Sequence, residues 1–72
     1  MHTQKPIHIQ LNGQPCQCEP GATVAQLLQQ LDLNGKRLAV ELNAMIVPRS
    51  RFDQQTLNEH DKVEIVRAIG GG

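Results

Sequence analysis

Thr23-Val24-Ala25-Gln26-Leu27-Leu28-Gln29-Gln30-Leu31 is the stretch on which the fold turns. Val24, Leu27, Leu28 and Leu31 recur at i, i+3, i+4 and i+7, a spacing that lines one face of an α-helix with apolar side chains. Gln26, Gln29 and Gln30 fall on the wet side. Thr23 and Gln26 stand three apart, as in a capping box: the hydroxyl can accept from an orphan N–H of the first turn, and the glutamine amide can accept from the Thr23 N–H. Glu19-Pro20-Gly21-Ala22 breaks the chain before the helix, and Asn34-Gly35 offers a left-handed stop after it.

Outward from the helix the period changes from 3.6 to 2. On the N-terminal side, Ile7-His8-Ile9-Gln10-Leu11 alternates apolar and polar, which is the pattern of a half-buried strand. Asn12-Gly13 follows, and both residues tolerate the positive φ that a tight hairpin turn requires. Gln14 to Glu19 forms the returning strand, with Cys16 and Cys18 on one face. Pro15 lacks a backbone donor, so this strand belongs at a sheet edge. On the C-terminal side, Leu38–Leu42 and Met45–Val47 are two strands joined by a turn at Asn43-Ala44, and Pro48 ends the second. Arg49 to Thr56 is a loop or one turn of helix, with Phe52 folded back as an anchor. Asn58 to Asp61 is a polar turn, and Lys62 to Ala68 is the last strand. Two strands, a crossover helix and three more strands suit an α+β fold: one mixed sheet of about five strands with the helix packed across it.

Seventy-two residues make a single domain spanning 1–72, with flexible ends expected at 1–5 and 69–72. Phe52 is the only aromatic residue, so the core is expected from Leu, Ile, Val and Ala, supplemented by Met45 and the two cysteines. Lys and Arg together number seven, as do Asp and Glu. That balance argues against nucleic-acid binding, which needs a basic surface and, for single strands, aromatic platforms. No apolar run is long enough for a membrane span, and Met1 to Pro6 lacks a signal-peptide pattern. Cytoplasmic location is the expectation.

Gly70-Gly71-Gly72 closes the sequence directly after the last strand. Without Cβ atoms such a segment is slim and can adopt backbone angles closed to other residues, so it can thread a narrow channel. Its α-carboxylate is ionised at neutral pH, with a pKa of about 3.5. A carboxylate is a poor acyl donor until it becomes a mixed anhydride with phosphate. The implied chemistry is nucleotide-dependent activation followed by acyl transfer, with this chain as the substrate and not the catalyst.

The remaining residues offer no catalytic constellation. His2 precedes the first strand, His60 sits in a polar turn, and His8 points opposite to Ile7 and Ile9, away from the cysteine face. Ser50 is the only serine. The carboxylates are scattered and most read as surface groups. Cys16-x-Cys18 lacks the further ligands that a structural zinc requires and reads as core filler, so no metal site is expected. Arg49 and Arg51 read as solvated charges.

Several segments, taken together, resemble the ThiS family of sulfur carrier proteins of thiamine biosynthesis. They are Ile9-Gln10-Leu11-Asn12-Gly13, Gly21-Ala22-Thr23-Val24 leading into Leu27-Leu28-Gln29-Gln30-Leu31, Val40-Glu41-Leu42-Asn43, Ile46-Val47-Pro48-Arg49, Asp61-Lys62-Val63-Glu64-Ile65-Val66 and the Gly70-Gly71-Gly72 end. The resemblance implies a ubiquitin-like β-grasp, with the last strand between the first and third. It also implies a chemical route. A ThiF-type adenylyltransferase would use ATP to adenylate Gly72, and a sulfur donor protein would convert the adenylate to a thiocarboxylate. Thiazole synthase (ThiG) would take the sulfur. Gly70 and Gly71 would be the approach into partner sites, and no cofactor would be held by the chain itself. Val66, Ala68 and Ile69 form an apolar patch beside this tail and are candidate docking residues. A carrier for molybdopterin synthesis, a modifier that ends in an isopeptide bond and a passive interaction module are the alternatives.

Overall fold

The computed structural model describes residues 5–67. Strand β1 (Ile7–Leu11) turns through Asn12 and Gly13, at φ +50° and +80°, into β2 (Gln14–Cys18). Helix α1 (Val24–Gln30) crosses over, followed by β3 (Leu38–Leu42) and β4 (Met45–Val47). A single 3-10 turn at Arg49–Arg51 and an irregular segment lead to β5 (Lys62–Arg67). The sheet order is β2-β1-β5-β3-β4. β5 runs parallel to β1 and antiparallel to β3, so the last strand is the centre of the sheet. β2, which carries Pro15, is an edge strand as the sequence predicts.

One face of the sheet is covered and the other is open. Ile9, Cys18, Val40, Val63 and Ile65 are buried on the covered face beneath Val24, Leu27 and Leu28 of α1. Burying a side chain of this size contributes about 1.5–3 kcal/mol, so the apolar stripe of α1 is what holds so short a helix in place. Phe52 packs at the margin of this core, as its expected anchor role requires.

The helix N-terminus is fully satisfied. Thr23 Oγ1 accepts from Gln26 N at 3.2 Å, and Gln26 Oε1 accepts from Thr23 N at 2.9 Å, completing the capping box. The N–H groups of Val24 and Ala25 donate to the carbonyls of Gln55 and Phe52, at 2.9 and 2.8 Å. The irregular segment before β5 is therefore a non-local cap for α1. Leu57, at its end, is 1% exposed and donates its N–H to Ala22 O at 2.8 Å.

The helix stops earlier than Asn34-Gly35. Asp32 takes the left-handed position at φ +61°. Its N–H donates to Gln29 O at 3.0 Å, and Leu33 N donates to Leu28 O at 2.7 Å, the paired bonds of a Schellman stop. Leu33 then packs against the core, so an apolar residue one place beyond the stop draws the chain into this turn. Met45 also departs from expectation: it is 73% exposed rather than in the core. It lies at the turn end of an outer strand, and Val47 takes the covered position on β4.

Both hairpin turns bind the central strand through an asparagine. Asn12 Oδ1 accepts from Ile65 N at 2.8 Å and its Nδ2 donates to Ile65 O at 3.2 Å, extending the short β1–β5 ladder by one side-chain amide. Asn43 Oδ1 accepts from Lys62 N at 2.9 Å, and Asn43 Nδ2 donates to Asp61 Oδ1 at 3.0 Å. The second turn carries a conformational cost that the first avoids, because Ala44 sits at φ +70° where the first turn has glycine.

Candidate functional site

The candidate residues lie in β5 and after it in the sequence. Val63 and Ile65 point into the core, whereas Lys62, Glu64 and Val66 point outward. Val66 is 60% exposed, on the open face where the docking patch is expected. Ala68, Ile69, Gly70, Gly71 and Gly72 lie outside the described residues, so the expected last residue of this strand, Ala68, does too. The structure thus describes the strand that precedes them in the sequence.

The groups that might have made the chain a catalyst are held apart. In the β1–β2 register His8 stands opposite Gln17, while Cys16 stands opposite Ile9. His8 and the cysteines therefore occupy opposite faces and do not pair. His8 Nδ1 lies 3.2 Å from Glu59 Oε2, and its Nε2 lies 3.3 Å from Gln17 Nε2, all at the surface. Glu59 also accepts from the His8 backbone N–H at 2.9 Å. That bond is the main cause holding the Glu59 carboxyl below its ordinary range; desolvation opposes it, and the imidazoles of His8 and His60 add to the lowering. Cys18 is buried, and burial, reinforced by neighbouring Cys16, pushes its thiol up to about 11. A thiol held neutral in this way is a poor nucleophile and a poor ligand. Among the described residues no group of three or more His, Cys, Asp or Glu side chains converges on a possible metal position.

Asp61 is the functional-looking residue that the sequence hides. It is 9% exposed, and its carboxylate accepts from Asn58 N at 2.7 Å and from Asn43 Nδ2 at 3.0 Å. Both partners are neutral donors that tie the last turn to the β3–β4 turn, so Asp61 shapes the entry into β5. Its second partner lies 18 residues away, and no local pattern signals it. Among the described residues no helix is long and apolar enough to cross a membrane.

Comparison with known proteins supplies the frame for this arrangement. The family model described as the ThiS family matches residues 9–72. The chain belongs to the ThiS family. The sulfur carrier protein ThiS of Escherichia coli is 36% identical over 66 residues, covering 92% of this chain and all of that one. The crystal structure of the thiamine biosynthesis protein ThiS from Geobacter metallireducens superposes with a TM-score of 0.79 at 30% identity, over 92% of this chain and 100% of that chain. The five-stranded mixed sheet with one helix is accordingly the ThiS β-grasp, with β5 between β1 and β3. A thiazole synthase from Paramagnetospirillum magneticum is 42% identical over 62 residues, which is 86% of this chain but only 19% of that protein. A ThiS-like segment therefore occurs inside a much longer thiazole synthase chain.

Proposed function

We propose that this ThiS-family chain is a sulfur carrier of thiamine biosynthesis, with the Gly72 carboxylate as its working group. The observation that carries the reading is the family match itself, which runs to residue 72 and so includes Gly70-Gly71-Gly72. The carboxylate attacks the α-phosphorus of ATP in the site of a ThiF-type adenylyltransferase. Pyrophosphate leaves and an acyl adenylate forms. A sulfur donor protein then delivers sulfur at the sulfide level to the acyl carbon, the C–O bond to AMP breaks as the C–S bond forms, and the end group becomes a thiocarboxylate. Thiazole synthase consumes that sulfur in forming the thiazole ring. The occurrence of a ThiS-like segment within thiazole synthase chains supports this last partner.

On this reading the chain supplies shape and no catalytic group. The rigid sheet presents β5, the glycines supply a slim approach, and ATP is bound and spent by the activating partner. Val66, exposed on β5, is a residue that partners hold while the tail is in use, and Ala68 and Ile69 are proposed for the same role. Incubation with ATP, the cognate adenylyltransferase and a sulfur donor, followed by intact-mass analysis, tests the proposal. Wild type is expected to exchange one oxygen for one sulfur at Gly72, and a chain lacking Gly72 is expected to remain unchanged. Sulfur appearing equally on the truncated chain would refute it.

A further inference from the structure

The open face of the sheet carries a charge arrangement that the fold does not need. Lys62, Glu64 and Val66 face outward on β5, and the β3–β5 register sets Ala39 opposite Val66 and Glu41 opposite Glu64. The β3–β4 register then sets Ile46 beside Glu41. The middle row across the open face is therefore Glu64, Glu41, Ile46, and the row nearest the tail is Val66, Ala39. Ile46 and Val66 are 70% and 60% exposed. Two carboxylates placed directly opposite each other on adjacent antiparallel strands repel. Lys62 lines the same hollow of about 420 Å³ with Glu41, Glu64, Asn43 and Ala44. Among the described residues, however, no Lys or Arg lies within ion-pair distance of either glutamate; the ion pairs there are those of Glu59 with His8 and His60.

From this arrangement we infer that Glu41 and Glu64 form a two-carboxylate receptor for a basic side chain, an arginine, presented by the activating enzyme between apolar residues that cover Ile46 and Val66. The inference rests on the sulfur-carrier reading and deepens it by assigning the partner's chemistry. A guanidinium can serve two carboxylates at once through its fork of donors, which an ammonium does less well. It relieves the repulsion that the free chain retains, so the bound state gains where the free state is strained. The row nearest the tail is continuous with this one, so the same contact aligns β5 with the partner's entrance. A second copy of this chain is a poor occupant, because it would set two such glutamate pairs face to face.

The test separates binding from activation. Binding of the cognate adenylyltransferase is measured by calorimetry for wild type and for Glu41→Gln/Glu64→Gln, at low and high salt. Thermal unfolding of both chains is recorded alongside. The double variant is expected to bind at least about tenfold more weakly, since charge-assisted bonds become neutral ones. Its salt dependence should flatten and its unfolding temperature should equal or exceed that of wild type. In turnover its KM should rise while kcat is retained. Equal affinity and equal salt dependence of the two chains would overturn this inference alone. A wild-type chain that binds the enzyme not at all would overturn both it and the carrier reading. Concentration-dependent dimerisation of wild type through this face, abolished by Ile46→Asp, would overturn the assigned occupant.

Discussion

The two faces of one sheet obey different rules. The covered face is apolar at every central position, from Ile9 through Val63 and Ile65 to Val40, and α1 lies upon it. The open face mixes Val66 and Ile46 with Glu41, Glu64 and Lys62, and nothing within the described residues covers it. The first face is explained by folding alone: each side chain there removes apolar surface from water. The second exposes apolar groups and opposes like charges, both of which a free domain would do better without. The covered face stabilises the chain; on the proposed reading the open face meets a partner. Substitutions should therefore divide cleanly between stability and partner use.

The largest expected effect belongs to the covered side. Leu57→Ala should destabilise the domain by about 2–5 kcal/mol, because a fully buried leucine leaves a cavity beneath the helix start. Urea denaturation measures this, and a loss below about 1 kcal/mol would show that the segment before β5 is not part of the core. Next comes the asparagine that ties β1 to β5. Asn12→Gly keeps the left-handed turn but removes both bonds to Ile65, so a loss of about 1–3 kcal/mol is expected by the same measurement. A neutral outcome would mean that the strand pairing holds β5 without the side-chain amide.

A smaller effect concerns pH. Cys18 keeps its proton in the folded chain up to about 11, against an ordinary value of 9.0. Between those limits the native state binds more protons than the unfolded state, so this contribution is complete below about pH 9 and is lost as pH rises towards 11. Wild type should lose more stability than Cys18→Ala across that window, as read from urea midpoints at each pH. Parallel curves would show that the thiol ionises alike in both states. The smallest stability effect is expected on the open face. Val66→Asp should shift unfolding by no more than about 0.5 kcal/mol, since the side chain already faces water, yet it should lower the rate of activation. A strongly destabilised Val66→Asp would return this face to a folding role.

The sequence made legible what rests on local pattern. The capping box of Thr23 and Gln26, the Asn12-Gly13 turn and the alternation in β1 and β5 each state their structure within a few residues. Contributions made across the chain stayed hidden. Leu57 lies in a segment without periodicity, and its burial depends on the opening turns of a helix more than thirty residues earlier. Asp61 reads as one more polar residue in a turn until Asn43 is brought beside it. Asp32 stops the helix in place of Asn34-Gly35 because the burial of Leu33 decides where the chain must turn. Val66 was legible as outward-facing from the phase of β5. The glutamate pair was not, since opposition of Glu41 and Glu64 depends on a register that no single strand encodes.

The account stands on the main-chain carboxylate of Gly72 as the reactive group. The most direct measurement compares the native chain with one extended by a single leucine after Gly72, each incubated with ATP, the adenylyltransferase and a sulfur donor and then analysed by fragment mass spectrometry. The native chain should carry sulfur on Gly72, and the extended chain should fold normally and carry none. An extended chain that gains sulfur without being trimmed, or a native chain whose sulfur resides on Cys16 or Cys18, would contradict the account.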